Sequence, residues 1–122
     1  MIEPYYQDKD TTLYCAPCEA IIPYLSKFDL LKYVNPIKGR STEIVKKYDD
    51  NSLDFVFIDA DHKYESVRAD ILAWMPKVKK GGILAGHDYI DCHNGVIKSV
   101  DETLSGFEII ECSTNKCWLW IK

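Results

Sequence analysis

Asp59, Asp61 and His62 stand together in Ile58-Asp59-Ala60-Asp61-His62, and His87 and Asp88 stand together in Gly86-His87-Asp88-Tyr89. Carboxylates brought close to one another hold a hard divalent cation through oxygen. A carboxylate or imidazole in the same crevice can act as a general base, because burial and neighbouring charge move its pKa toward neutrality. Each residue alone has a plainer use. Asp59 or Asp61 can cap a following helix, and His87 can be an ordinary loop histidine. The pair of polar clusters, each placed straight after an apolar run, argues for a site.

The apolar runs are the elements that must position them. Leu53-Asp54-Phe55-Val56-Phe57-Ile58 reads as a strand covered on both faces, as in a parallel sheet. Tyr64, Val67, Ile71, Trp74 and Met75 fall on one helical face, and Pro76 with Gly81-Gly82 closes that helix. Ile83-Leu84-Ala85-Gly86 is the next buried strand. Such a strand-helix-strand unit is a right-handed crossover, and ligands of an open α/β sheet bind beyond the carboxyl ends of its strands. If the two strands are neighbours, the clusters converge.

The rest of the chain extends the alternation. Residues 1–16 read as an irregular N-terminal arm. Pro17 opens a helix carrying Ile21, Ile22, Leu25, Phe28 and Leu31. Tyr33 to Ile37 reads as a short strand weakened by Pro36. Ser41 caps a helix through about Tyr48, and Asn94 caps one carrying Val96, Ile97, Val100 and Leu104. Phe107 to Cys112 and Lys116 to Ile121 form a hairpin around Ser113-Thr114-Asn115. The expectation is an α/β fold of one domain, residues 1–122, with a mainly parallel sheet, helices on both faces and an antiparallel C-terminal hairpin.

Composition narrows the partners. The chain has 122 residues, 47% hydrophobic and 28% charged, with 15 Lys+Arg against 19 Asp+Glu for a net charge of −4. That is globular composition, with no basic footprint for nucleic acid or an anionic membrane surface. No apolar run approaches the roughly 20 residues of a membrane span, and the N-terminus lacks signal-peptide character, so a cytoplasmic setting is expected. Five cysteines, an odd number, point to reduced thiols there. Cys15-Ala-Pro-Cys18 is a lone CxxC, short of the ligands a zinc site needs. Tyr5, Tyr6, Trp118 and Trp120 are read as packing residues rather than an aromatic platform.

The segment from Phe55 to Val67, then Asp70, Trp74 and Pro76, then Gly81 to Tyr89, resembles the second half of class I S-adenosylmethionine-dependent methyltransferases. The nearest flavour is the small-molecule O-methyltransferase branch, and the likeness covers roughly Tyr33 to Leu104. The resemblance implies a Rossmann-like fold and methyl transfer to a small hydroxylated substrate. By the same resemblance Asp59, His87 and Asp88 are metal ligands, with Mg²⁺ as the ion, and Asp61 or His62 deprotonates the attacking oxygen. Gly39, Arg40 and Ser41, with Asp59, contact the adenosyl part of the cofactor. A histidine at position 87 departs from relatives that carry a carboxylate or amide there.

A second departure is larger. The first glycine of the chain is Gly39, so no glycine-rich turn precedes the first helix. The expectation is a methyltransferase without its cofactor-binding front, which binds S-adenosylmethionine weakly or not at all on its own. A catalytically silent methyltransferase-like binding module is the alternative. Strand 53–58 would then be an open apolar edge. Either a rearranged N-terminal segment or a second copy of the chain covers it, with a homodimer preferred.

Overall fold

The computed structural model describes residues 4–7, 11–14, 26–27, 29, 31–33, 35, 37, 39–112 and 115–122. Its strands are β1 (Pro4–Gln7), β2 (Thr11–Tyr14), β3 (Leu53–Ile58), β4 (Val78–Gly86), β5 (Glu108–Cys112) and β6 (Asn115–Ile121). Its helices are α1 (Ser41–Ile44), α2 (Tyr64–Trp74) and α3 (Asn94–Thr103). The strands form one sheet in the order β1-β2-β3-β4-β6-β5. β2, β3 and β4 run parallel at its centre, and the pairs β1–β2, β4–β6 and β5–β6 are antiparallel.

The N-terminal arm is therefore not irregular throughout. Residues 4–7 and 11–14 form a hairpin whose second strand lies beside β3, pairing Thr11 with Phe55 and Thr12 with Val56. The edge expected to be open is covered by backbone from the same chain. This adds an antiparallel pairing and makes the sheet mixed rather than mainly parallel.

α2 contacts β3, and also α1 and α3, so the described helices form one layer over one face of the sheet. No helix among the described residues is long and apolar enough to cross a membrane. The apolar helix face of Val67, Ile71 and Trp74 meets Val96 and Val100 of α3 and the strand residues Val56, Ile58, Leu84 and Trp118 in one buried cluster. Burying such side chains supplies about 1.5–3 kcal/mol each. Strand alternation turns Phe55 and Phe57 to the other face, where they are half-buried and their rings stack 6.2 Å apart.

Several boundaries differ from the sequence expectation. β4 begins at Val78, so Gly81 and Gly82, expected to close the preceding helix, lie inside the strand. Leu31–Tyr33 is a 3₁₀ turn, and Asn35 and Ile37 lie outside any strand, consistent with the donor that Pro36 lacks. Arg40, in extended conformation, precedes α1, and Ser41 is its first residue rather than its cap. A 3₁₀ turn over Asp91–His93 runs directly into α3, so Asn94 is already helical and His93 takes the boundary. The expected helix on Ile21 to Leu31 and the Cys15–Cys18 pair lie almost wholly outside the described residues.

Candidate functional site

β3 and β4 are neighbours, and their register sets Ile58 opposite Gly86. Asp59 and His87 therefore leave the sheet side by side, and the His87 backbone N–H donates to the Ile58 carbonyl at 3.2 Å. Gly86 is needed here. A Cβ would overlap the Trp118 ring and sit 2.7 Å from the Ile58 carbonyl oxygen. The following residue, Asp88, has φ +63°, a left-handed conformation that aspartate tolerates better than most residues. This turn of the chain aims its carboxylate back across the strand ends.

Asp88 is the hub of the site, with its side chain 13% exposed. One oxygen, Oδ1, accepts from Asn115 Nδ2 at 2.7 Å and lies 3.2 Å from His87 Nδ1. The other, Oδ2, lies 2.8 Å from His62 Nε2. Burial by itself would raise the Asp88 carboxyl. The hydrogen bonds from Asn115 and His62, and the nearby imidazoles, outweigh it and hold the group below the usual carboxylate range. Asp59, half-buried beside it, behaves oppositely. Burial raises it first, and the Asp88 charge adds to that against the opposing imidazole of His87. One ligand atom each of Asp59, His87 and Asp88 lie within 4.8 Å of one another. A void of about 10 Å³ lined by Asp59, His62, His87 and Asp88 separates them from an apolar floor of Ile58, Val67, Val96 and Trp118.

Asp61 is not free for a base's work. Its Oδ1 accepts from the backbone N–H of His62 at 2.8 Å and of Lys63 at 3.3 Å. Its Oδ2 accepts from Ser66 Oγ at 2.7 Å. The Ser66 hydroxyl above all, with these amides, keeps its carboxyl below the usual range. Asp61 thus organises the start of α2, while the His62 ring faces Asp88. Tyr89 closes the loop from the other side. Burial and its hydrogen bond to Asp101 (2.7 Å) push the phenol up to about 12, so it stays a donor.

Beside the cluster lies a cleft of about 480 Å³, bounded by Arg40, Ser41, Thr42, Ala60, Asp61, Glu65 and Asp70. That is within the size range of small-molecule sites. Gly39 lets the chain pass close to α1, since a Cβ there would lie 2.8 Å from Ile44 Cδ1. Ser41 is fixed from beneath, because its Oγ accepts from the buried Trp74 indole N–H at 2.6 Å. Of the cofactor residues expected from the sequence, Arg40 and Ser41 line this cleft, and Asp59 faces the void and the neighbouring small pocket under Ser41 and Trp74.

The site also contains residues that sequence reasoning missed. His93, at the start of α3, stacks on His62 with ring centroids 3.9 Å apart. Asn115 enters from the C-terminal hairpin, because β6 runs antiparallel to β4 and so begins where β4 ends. That signal was available in the hairpin's direction. Asp70, the one charged residue buried among the described residues at 8% exposure, carries part of the family resemblance but was assigned no role in the site.

Comparison with known proteins agrees with this architecture. A crystal structure of a protein from Corynebacterium glutamicum superposes with a TM-score of 0.56 at 12% identity, covering 83% of this chain and 55% of that one. The likeness shows the Rossmann-like α/β fold, and this chain spans about half the length of that neighbour. No curated protein matches the chain. Residues 7–89, which run from the N-terminal hairpin through both strand-end clusters to Tyr89, match the family described as a methyltransferase domain. With two thirds of its length inside that match and its polar residues gathered where such a sheet binds ligands, the chain belongs to the methyltransferase domain family.

Proposed function

We propose that the protein is an S-adenosylmethionine-dependent methyltransferase acting on a hydroxyl oxygen of a small substrate, with divalent-metal assistance. The observation that carries this reading is the convergence of Asp59, His62, His87 and Asp88 beside the cleft of Arg40, Ser41 and Asp70. The cleft's size and mixed lining suit the nucleoside part of the cofactor, with Ala60 and Ser41 offering backbone and hydroxyl contacts. Bound there, the cofactor supplies an electrophilic methyl group.

The chain's own residues then have distinct tasks. Asp59 and Asp88 offer two carboxylates to a hard cation such as Mg²⁺, which suits oxygen ligands, and His87 adds a nitrogen. A cation there relieves the burial and like-charge penalty that Asp59 carries. His62, oriented through Nε2 by Asp88, accepts the substrate's hydroxyl proton in the way an aspartate-held imidazole does. Asn115 fixes the Asp88 carboxylate for both roles. We place this work in the cytoplasm.

A second reading has one observation in its favour. Residues 1–38 contain no glycine, so this segment does not itself carry the turn that cradles the amino-acid end of such cofactors. On that reading the chain is a methyltransferase-like module that binds without catalysis.

Methyl transfer from radiolabelled S-adenosylmethionine to a panel of catechols and related hydroxylated compounds, with Mg²⁺ present, tests the proposal. Transfer that His62→Asn and Asp88→Asn both abolish supports it. Calorimetric binding of cofactor or substrate without any turnover favours the silent module. Absence of both sinks the two readings together.

A further inference from the structure

All three histidines of the chain, His62, His87 and His93, come to one end of the sheet, although they lie in two separate connections, 59–63 and 87–93. They do not form a single group. A ligand atom each of His62, Asp88 and His93 lie within 4.8 Å of one another, as a set distinct from Asp59, His87 and Asp88. Asp88 belongs to both sets and divides its oxygens between them, Oδ1 toward His87 and Oδ2 toward His62.

Two imidazoles and one carboxylate are the wrong donors for Mg²⁺, which takes oxygen. They suit a borderline cation of the zinc, cobalt or nickel kind. We propose that His62, Asp88 and His93 form a binding site for such a transition-metal ion, sharing only Asp88 with the oxygen-rich Asp59–His87–Asp88 set.

The donor spacing is close to what an ion requires. At metal–ligand bonds of about 2.0–2.2 Å, donors in a tetrahedral site stand roughly 3.3–3.6 Å apart, so the donors draw together by about an ångström and one of the stacked His62 and His93 rings turns to aim its lone pair at the ion. The 2.8 Å contact between His62 Nε2 and Asp88 Oδ2 is the contact the ion replaces. The supporting parts are already in place. Asn115 Nδ2 holds the far oxygen of Asp88 at 2.7 Å, the kind of outer hydrogen bond that orients a ligating carboxylate. Gly95 presses the first turn of α3 onto the His62–Tyr64 backbone, where a Cβ would sit 2.6 Å from the Tyr64 nitrogen. This close approach is what sets His93 on His62. The His62 side chain is 43% exposed, which leaves an entry path and room for water in a fourth position.

The site stands whether or not the chain transfers methyl groups, and it has a consequence if it does. An ion here takes His62 as a ligand and removes it as a base, so zinc-class ions are antagonists of the proposed reaction while Mg²⁺ is not.

Titration of the chelator-treated full chain with Co²⁺, read by visible absorption without cofactor or substrate, tests the site. Saturable ligand-field bands with a Kd of about 10 µM or tighter are expected. Zn²⁺ should displace them and millimolar Mg²⁺ should not. His93→Ala should weaken binding about tenfold or more, while Asp59→Asn keeps it. No saturation up to about 100 µM overturns the proposal, as does equal affinity in His93→Ala. X-ray absorption of the zinc-loaded wild type gives a reading that needs no variant: two imidazole ligands support the site, and one or none refutes it. Since no methyl transfer is measured, either proposal can fail without the other.

Discussion

Gly95 and His62 meet backbone to backbone: the Cα of Gly95 faces the His62 carbonyl with no space for a Cβ between them. Glycine at the second position of α3 is poor for helix formation by about 1 kcal/mol relative to alanine. Here the contact with the loop after β3 outweighs propensity. Gly95→Ala should therefore lose about 1–3 kcal/mol of stability despite the better helix former, because backbone cannot yield as a side-chain tip can. Urea denaturation measures it, and a midpoint at or above that of the wild type would refute the packing argument.

Trp74 and Ser41 couple the core to the cleft. The indole is 1% exposed and donates to Ser41 Oγ at 2.6 Å. Trp74→Phe should cost about 2–3 kcal/mol from the lost donor and the volume left behind. A double-mutant cycle with Ser41→Ala should return a coupling of about 1 kcal/mol. Strict additivity of the two variants would show that the bond contributes nothing.

Asp70 predicts a pH dependence. Burial raises its carboxyl above the usual range, against an opposing hydrogen bond from Ser41. The folded state therefore holds this proton more tightly than the unfolded state. Its contribution to stability is full below the unfolded-state pKa and is lost as pH rises through the folded-state value. Above the folded-state value the carboxylate is charged while buried, which burdens the fold. Asp70→Asn, which keeps an acceptor for Ser41, should melt higher than the wild type at pH 7, with the gap narrowing toward pH 4. Thermal melts across that range check it, and a variant less stable at pH 7 would contradict the sign.

The N-terminal hairpin makes a prediction about the sheet edge. Pairing of Thr11 and Thr12 with Phe55 and Val56 should give slow exchange at the β3 amides that face β2, as β4 already does for those that face it. Proline at both 11 and 12 removes two donors and should release that protection and promote self-association. Fast exchange in the wild type would mean the edge is open. Light scattering at the same concentration separates cover by the chain's own hairpin from cover by a second copy.

Much of the frame can be read in the residues themselves. The apolar run Leu53–Ile58 and the helical spacing of Val67, Ile71 and Trp74 are local patterns that the structure follows nearly residue for residue, and the strand ending at Gly86 is legible too, although it starts at Val78, before the expected Ile83. So is the meeting of Asp59 with His87 and Asp88, because consecutive parallel strands joined by a helix place their carboxyl ends together. The partners that complete the cluster were not legible. His93 reaches His62 only because Gly95 admits a close backbone approach between two loops, and Asn115 arrives through the register of an antiparallel strand. Asp61 and His62 are one position apart and chemically interchangeable in a sequence. Their roles separate only in space, where Ser66 and two backbone amides occupy Asp61 while Asp88 takes His62. Hydrophobic periodicity is a property of neighbours along the chain, and it determined the elements. Ligand convergence depends on groups tens of residues apart, and only the packed sheet and its helical layer decided it.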